Sequence, residues 1–323
     1  MDFSAIKGKK VLITGASGLI GRALVDILLD CQVIVIAAGR SADKFKGLES
    51  RSHFKFLPYD ATGVFSCDEA PDVIVHAASA ASPRLFVDEP VETMLANVHG
   101  INEILRYSRK HHSKVVYISS SEVYGKAAPR RNGFKEEDSG YVDILSPRSS
   151  YPMGKRAAET LCTSYAAEYG VDVSIVRPGH IYGPTASASD GRVSSLWPRV
   201  AARGEDIVMK SDGTQIRSYT YAKDCATAIL MVALRGKSGE AYNIANPDVA
   251  CSIREFAETV AACAGVRLKM ELPTRAEAAA FNPMNNSRLD ASKLVALGWQ
   301  ARYSVREGIA ETLIALMKNN DLA

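Results

Sequence analysis

The chain has 323 residues, 47% hydrophobic and 23% charged, with a formal net charge of +3 at pH 7. This suits one large globular domain or two intimate ones, and the charge is too small and too evenly spread for a nucleic-acid or membrane-surface binder. The six cysteines form no Cys-x-x-Cys pair and no metal-ligand set, and the N-terminus lacks a signal peptide's basic start and apolar run. No stretch approaches the roughly 20 apolar residues of a membrane helix, so free thiols in a reducing, cytoplasmic compartment are expected.

In chain order, strands are expected at residues 11–14, 33–36, 54–57, 73–76, 114–118 and 173–176. Helices are expected at about 19–30, 90–110 and 150–169. Continuous apolar strands alternating with helices imply an α/β fold, a doubly wound parallel sheet covered on both faces. The charged, Gly- and Pro-bearing stretch 127–149 reads as a long surface loop. After Gly183 the rhythm breaks into the Ser/Ala/Gly-rich 184–195 segment, with later helices near 221–234, 253–264 and 305–318. The expected organisation is a dinucleotide-binding unit at 1–183 and a smaller substrate lobe at 184–323, interleaved with the sheet and not separable.

The segment Thr14-Gly15-Ala-Ser17-Gly18-Leu19-Ile20-Gly21 follows a strand and opens a helix. Gly15 permits the tight turn, Gly18 lets backbone approach a pyrophosphate, and Gly21 allows close packing of helix on strand. The helix N-terminus offers unpaired N–H groups to phosphate. This predicts a Rossmann-type nicotinamide-dinucleotide site. At the end of the second strand, where NAD sites usually carry an acid, the chain reads Gly39-Arg40-Ser41. Arg40 and Ser41 suit a 2′-phosphate, which leans the cofactor from NAD towards NADP; the alternative is a surface arginine at a strand end. Asp60, with Ala61 beside it, is placed for the adenine amino group or is an ordinary turn aspartate. Ala77, Ala78 and Ser79 provide small residues where backbone passes the cofactor, whereas His76 reads as a satisfied core histidine.

Ser120-Ser121-Glu122-Val-Tyr-Gly ends the fifth strand, and Tyr151-Pro-Met-Gly-Lys155 starts the next helix. Tyr and Lys at i and i+4 share a helix face, so the ammonium can lower the phenol pKa and bind the nicotinamide ribose. A Ser120 hydroxyl can hold the substrate oxygen while the tyrosinate takes its proton.

These motifs, with Arg177-Pro178-Gly-His180-Ile-Tyr-Gly-Pro184, resemble the NAD-dependent epimerase/dehydratase family, extended short-chain dehydrogenase/reductases acting mainly on nucleotide sugars. The resemblance runs nearly to the C-terminus, through Leu289–Trp299. It implies catalytic roles for Ser120, Tyr151 and Lys155, a structural and cofactor role for Asn97, and a nicotinamide border at Pro178–His180. The family more often has Asn at position 180, so His180 is a substrate contact or a substitute hydrogen bonder. The implied reaction oxidises a sugar hydroxyl, usually at C4, and then epimerises, dehydrates or decarboxylates.

Similar 4,6-dehydratases carry Asp-Glu after the triad hydroxyl. Here Ser121-Glu122 keeps a potential C5 base and lacks the acid, a pattern nearer to glucuronate decarboxylases. Glu122 can equally be a structural carboxylate. The family's carboxylate-side arginine has no secure match, since the spacing of Arg288 to Asp290 and Trp299 is off. Ser121, Arg192, Arg217 and Arg288 are candidate substrate residues, and Arg217 resembles the diphosphate-binding arginine. The expected partner is a nucleotide diphosphate sugar, and the resemblance implies a homodimer through the Pro90 and Ser150 helices. A reductase or alcohol dehydrogenase on a non-sugar substrate is the alternative; a non-catalytic cofactor sensor is disfavoured by the intact Tyr151 and Lys155.

Overall fold

A computed structural model describes residues 3–79, 81–127, 133–188, 190–274, 281–282 and 284–320, with the side chains of Asn319 and Asn320 excepted. Ala80, residues 128–132 of the expected surface loop and Ser189 of the 184–195 segment lie outside the described residues.

Strands β1 (Lys10–Thr14), β2 (Ile34–Gly39), β3 (Phe54–Pro58), β4 (Val73–His76), β5 (Lys114–Ile118) and β6 (Val173–Pro178) form the main sheet. Its seventh strand comes from the C-terminal half. Helices α1 (Leu19–Asp30), α2 (Leu85–Asp88), α3 (Pro90–His111) and α4 (Ser150–Tyr169) belong to the first half. The second half adds β7 (His180–Tyr182), α5 (Val193–Ala202), β8 (Ile207–Met209), β9 (Ile216–Arg217), β10 (Tyr219–Tyr221) and α6 (Ala222–Arg235). It continues with β11 (Ala241–Ile244), β12 (Cys251–Ser252), α7 (Ile253–Ala264), β13 (Leu268–Met270), β14 (Asn286–Ser287), α8 (Ser292–Ala296) and α9 (Val305–Asn320).

The sheet order is β11-β6-β5-β4-β1-β2-β3, with every neighbouring pair parallel. Alternation along the strands feeds two layers. Val11, Ile13, Val35 and Val75 pack with Leu24 and Leu28 of α1 and Ile229 of α6. Leu12, Ile36, Ile74 and Tyr117 pack with Ile101 and Ile104 of α3 and Ala158 and Cys162 of α4. Burial on both faces explains why the strands read as unbroken apolar runs. The strand order reverses between β1 and β4, where Thr14 is level with His76, and open α/β sheets bind ligands at such a point.

The six expected strands are present, with β2 running three residues further, to Gly39, and β6 two further, to Pro178. Helix α5 starts inside the segment read as loop; its Ser-rich start and internal Pro198 hide it in sequence. A third cluster, built on Trp197, Tyr182, Tyr219 and Phe256, packs α5, α7 and α9 into the smaller lobe. Among the described residues no helix is long and apolar enough to cross a membrane.

Candidate active site

The glycine turn is made by steric necessity. Gly15 has φ +64°, and a Cβ there would stand 2.8 Å from the Ala77 carbonyl carbon and the Ala78 nitrogen. A Cβ on Gly21 would fall 2.3 Å from the Gly15 carbonyl oxygen and 2.7 Å from Ala16 Cα. No side chain can enter either position without moving backbone. Gly18 is the N-cap of α1, and Ser17 and Gly18 are exposed at the mouth of the turn. Leu19 and Ile20 begin the helix, and the Leu19 carbonyl accepts a 3.0 Å bond from the Thr185 hydroxyl. The cradle fits a dinucleotide pyrophosphate: backbone faces it, and the helix N-terminus points at it.

Behind the turn, Thr14 Oγ1 accepts from the Ala78 N–H at 3.2 Å and shares a 2.8 Å hydrogen bond with His76 Nδ1. Burial, and then the Lys155 charge, push His76 down to about 3, so it stays neutral. Ser79 donates to Asn97 Oδ1 at 2.9 Å, and Asn97 Nδ2 donates to the Thr93 carbonyl at 2.7 Å, which ties the β4 turn to α3. Arg40 is exposed just past β2. Ser41 caps the following turn through the Asp43 N–H. Asp60 accepts from the Thr62 N–H and hydroxyl, bonds that hold its carboxyl low, with the Arg40 charge adding to the effect. Ala61 lies beside α3, its carbonyl near Gly100.

The candidate catalytic residues Ser120, Tyr151 and Lys155 come together where β5 meets α4. Helix α4 approaches α3 closely because Gly154 has no side chain; a Cβ there would lie 3.2 Å from the Asn97 Cβ. Tyr151 and Lys155 are buried, at 7% and 3% exposure. Lys155 Nζ donates to the Ile118 carbonyl at 2.8 Å and stands 5.8 Å from the Tyr151 ring centroid. Burial depresses Lys155 to about 7, against the opposing pull of Glu159. Burial raises Tyr151 to about 12, and the Glu122 carboxylate adds to the rise. A hydrogen bond with Ser120 and the guanidiniums of Arg192 and Arg148 pull the other way. The tyrosine is therefore a poor base alone and depends on neighbouring positive charge. Ser120 caps the turn Ser121–Tyr124 through the Glu122 N–H, at 3.2 Å, while Ser121 is buried beneath it.

Glu122 is held by Arg148 through both carboxylate oxygens, at 2.8 and 3.2 Å. Phe86, on α2, stacks on Tyr151 at 4.2 Å and 7°. Sequence reasoning missed both partners: Arg148 looks like a surface cation in a loop, and Phe86 like an apolar residue of an ordinary short helix.

The candidate substrate residues gather on the smaller lobe. Arg217 is 3% exposed and donates to the Ile216 carbonyl at 2.9 Å; among the described residues no carboxylate pairs with it. Burial lowers its pKa, and Glu122 lies within electrostatic reach. Ser287 is level with Arg217 in the β9–β14 pairing, which brings Arg288 to the neighbouring position. The Arg288 backbone bonds Asn286 and Phe134. Arg192 is clamped by Asp190, through bonds of 2.6 to 3.1 Å, and its charge is felt by Tyr151 and His180. Pro178 closes β6, and His180 opens β7. Burial, with the Arg217 and Arg192 charges, drives His180 down to about 3, and its buried Nδ1 has no hydrogen-bond partner among the described residues. Ser120, Glu122, Tyr151, Lys155, Arg192, Arg217 and His180 thus form one electrostatically linked group.

A doubly wound parallel sheet with a glycine cradle at its switch point and a buried Ser–Tyr–Lys group beside it defines a dinucleotide-binding enzyme class. Residues 11–245 match the model of the NAD dependent epimerase/dehydratase family. UDP-glucuronic acid decarboxylase 6 of Arabidopsis thaliana is 32% identical over 308 residues, 93% of this chain and 86% of that protein. UDP-glucuronic acid decarboxylase 5 of the same plant is 31% identical over 305 residues, 93% and 87%. The UDP-glucose 4-epimerase of Thermotoga maritima, solved with UDP-glucose, shares the fold with a TM-score of 0.81 at 23% identity, covering 97% of this chain and 100% of that one. The chain belongs to the NAD dependent epimerase/dehydratase family.

Proposed function

We propose that this enzyme oxidises a nucleotide diphosphate sugar at C4 and then releases the C6 carboxylate of a uronic acid as carbon dioxide. The observation that carries the C4 step is the buried Tyr151, hydrogen-bonded with Ser120 and one helical turn from Lys155. Similarity to two UDP-glucuronic acid decarboxylases over 93% of the chain supports the second step, as does Ser121 at the position before Glu122.

In this reading Gly15–Gly21 and the Ala77–Ser79 turn hold the dinucleotide, Lys155 the nicotinamide ribose, and Arg40 a 2′-phosphate, which favours NADP. Bound there, the cofactor supplies the hydride acceptor. Arg217 and Arg192 hold the diphosphate, for which a guanidinium fork is better suited than an ammonium. Ser120 orients the C4 oxygen, and Tyr151 takes its proton. The C4 ketone then sits β to the carboxylate, so the C5–C6 bond can break with its electrons passing to the C4 oxygen. There the hydroxyls of Tyr151 and Ser120 hold the developing charge. The enolate takes a proton from water at C5, and Tyr151 returns its own proton to the C4 oxygen as the hydride removed in the first step comes back to C4. The exposed Val91 and Leu95 on α3 support a homodimer through α3 and α4.

One observation favours a second reading. Both oxygens of Glu122 are occupied by Arg148, which suits a structural carboxylate and hence simple epimerisation at C4. Mass spectrometry of UDP-glucuronate, UDP-glucose and their dTDP, CDP and GDP counterparts, each with NAD and NADP, decides between them. Loss of carbon dioxide is expected. A product of unchanged mass at a new retention time would establish epimerisation, and net consumption of cofactor would point to a reductase.

A further inference from the structure

Arg148 lies three residues before Tyr151, in the turn Pro147–Ser149 that leads into α4. Its guanidinium is shared by two neighbours. Nη1 and Nη2 donate to the Glu122 carboxylate, while the guanidinium carbon stands 5.6 Å from the Phe86 ring centroid. Phe86 in turn lies flat on Tyr151. The Phe86 carbonyl accepts from the Ser150 hydroxyl at 3.3 Å, which pins α2 to the start of α4. Four side chains from three segments are thus joined in series: Glu122, Arg148, Phe86, Tyr151.

We propose that Arg148 is a positioning residue of this site, holding the proton acceptor Tyr151 and the carboxylate Glu122 as one unit through its two bonds to Glu122 and its contact with Phe86. The proposal rests on the reading of Tyr151 as the group that takes the C4 proton. A planar fork fixes the carboxylate in one plane, as a lysine could not. With Phe86 braced between the guanidinium and the phenol ring, Tyr151 swings away from Ser120 only if Phe86 moves as well. The charges act in the same sense. Tyr151 faces Glu122 and Ser120 from the β5 turn, Arg192 from the smaller lobe, Arg148 from the preceding turn and Lys155 from its own helix. Glu122 opposes phenol ionisation and Arg148 offsets it, so removing Arg148 leaves the carboxylate uncompensated beside the phenol.

The test uses the cofactor-bound protein labelled with tyrosine carrying ¹³C at Cζ, the Tyr151 resonance being assigned with Tyr151→Phe, together with kcat and KM across pH. In Arg148→Met the Tyr151 midpoint should rise by about 1 pH unit. In the same variant kcat should fall about a hundredfold with KM little changed, the signature of misplaced reacting groups. Arg148→Lys should leave the midpoint near wild type and still lose about tenfold in kcat. A wild-type midpoint in Arg148→Met overturns the proposal. Should that variant not fold, an Arg148→Lys protein with wild-type kcat and an unchanged Tyr151 resonance does the same. The carbon-13 titration needs no substrate, so inactivity on every nucleotide sugar would sink the proposed reaction and leave the role of Arg148 still decided.

Discussion

At the proposed cofactor end, Gly15, Gly18 and Gly21 lie within seven consecutive residues, and their spacing shapes the cradle. At the proposed substrate end, Arg192, Arg217 and Arg288 come from three segments, held by a knot around Asp190 and by a small sheet of β12, β9 and β14. The first region works with backbone and excludes side chains. The second works with guanidiniums: Arg192 is paired with Asp190, while the buried Arg217 has no carboxylate partner among the described residues. Between them stands Tyr151, pushed up by burial and pulled down by Ser120, by Arg192 of the second region and by Arg148.

Breaking that junction should have the largest effect. Tyr151→Phe should lower turnover by about a thousandfold or more while cofactor binding persists; reduced-cofactor fluorescence and product mass check both halves. Activity at the wild-type level would remove Tyr151 from the mechanism.

Next comes the substrate half alone. Arg217→Lys keeps the charge and loses the fork, and KM for the nucleotide sugar should rise about tenfold to a hundredfold with cofactor affinity unchanged. A loss of cofactor binding instead would show that the two regions are not separable. On the cofactor side, Arg40→Ala should weaken NADP about tenfold and leave NAD nearly untouched, as measured by titrating each cofactor. Equal effects on the two would assign Arg40 to the surface.

The smallest effect concerns pH. His76 and His180 are both held near 3 in the folded chain, so below about 6.5 the unfolded chain takes protons that the native one refuses. Their contribution to stability is complete above 6.5 and is lost as pH falls towards 3. His180→Asn should remove its share of that loss, about 2 kcal/mol between pH 7 and 5, read from urea midpoints. Parallel pH dependence in wild type and variant would show that His180 keeps an ordinary pKa. The cofactor-side His76, bonded to Thr14, should then account for the remaining slope.

The boundaries of β4 and β5 were legible, and those of β1 to within one residue, because strands buried on both faces read as nearly continuous apolar runs. The end of β2 at Gly39 was not, since Ala37 and Ala38 carry little strand preference and gain it from pairing with Ile13 and Thr14. Strand β11 joins the main sheet beside β6 from 241–244, a pairing across some 60 residues of chain that no local pattern announces.

What the sequence determined by itself is whatever depends on spacing along one element. The glycine turn needs three backbones close together, and Tyr151 and Lys155 need only one helical turn between them. Tertiary structure alone decided what depends on directions taken by separate segments: that Arg148 closes on Glu122, that Phe86 lies on Tyr151, and that Arg217 is buried level with Ser287. Side-chain charge and ring stacking act over a few ångströms in space and have no fixed separation in sequence, so these contacts exist only once the sheet and both lobes have packed.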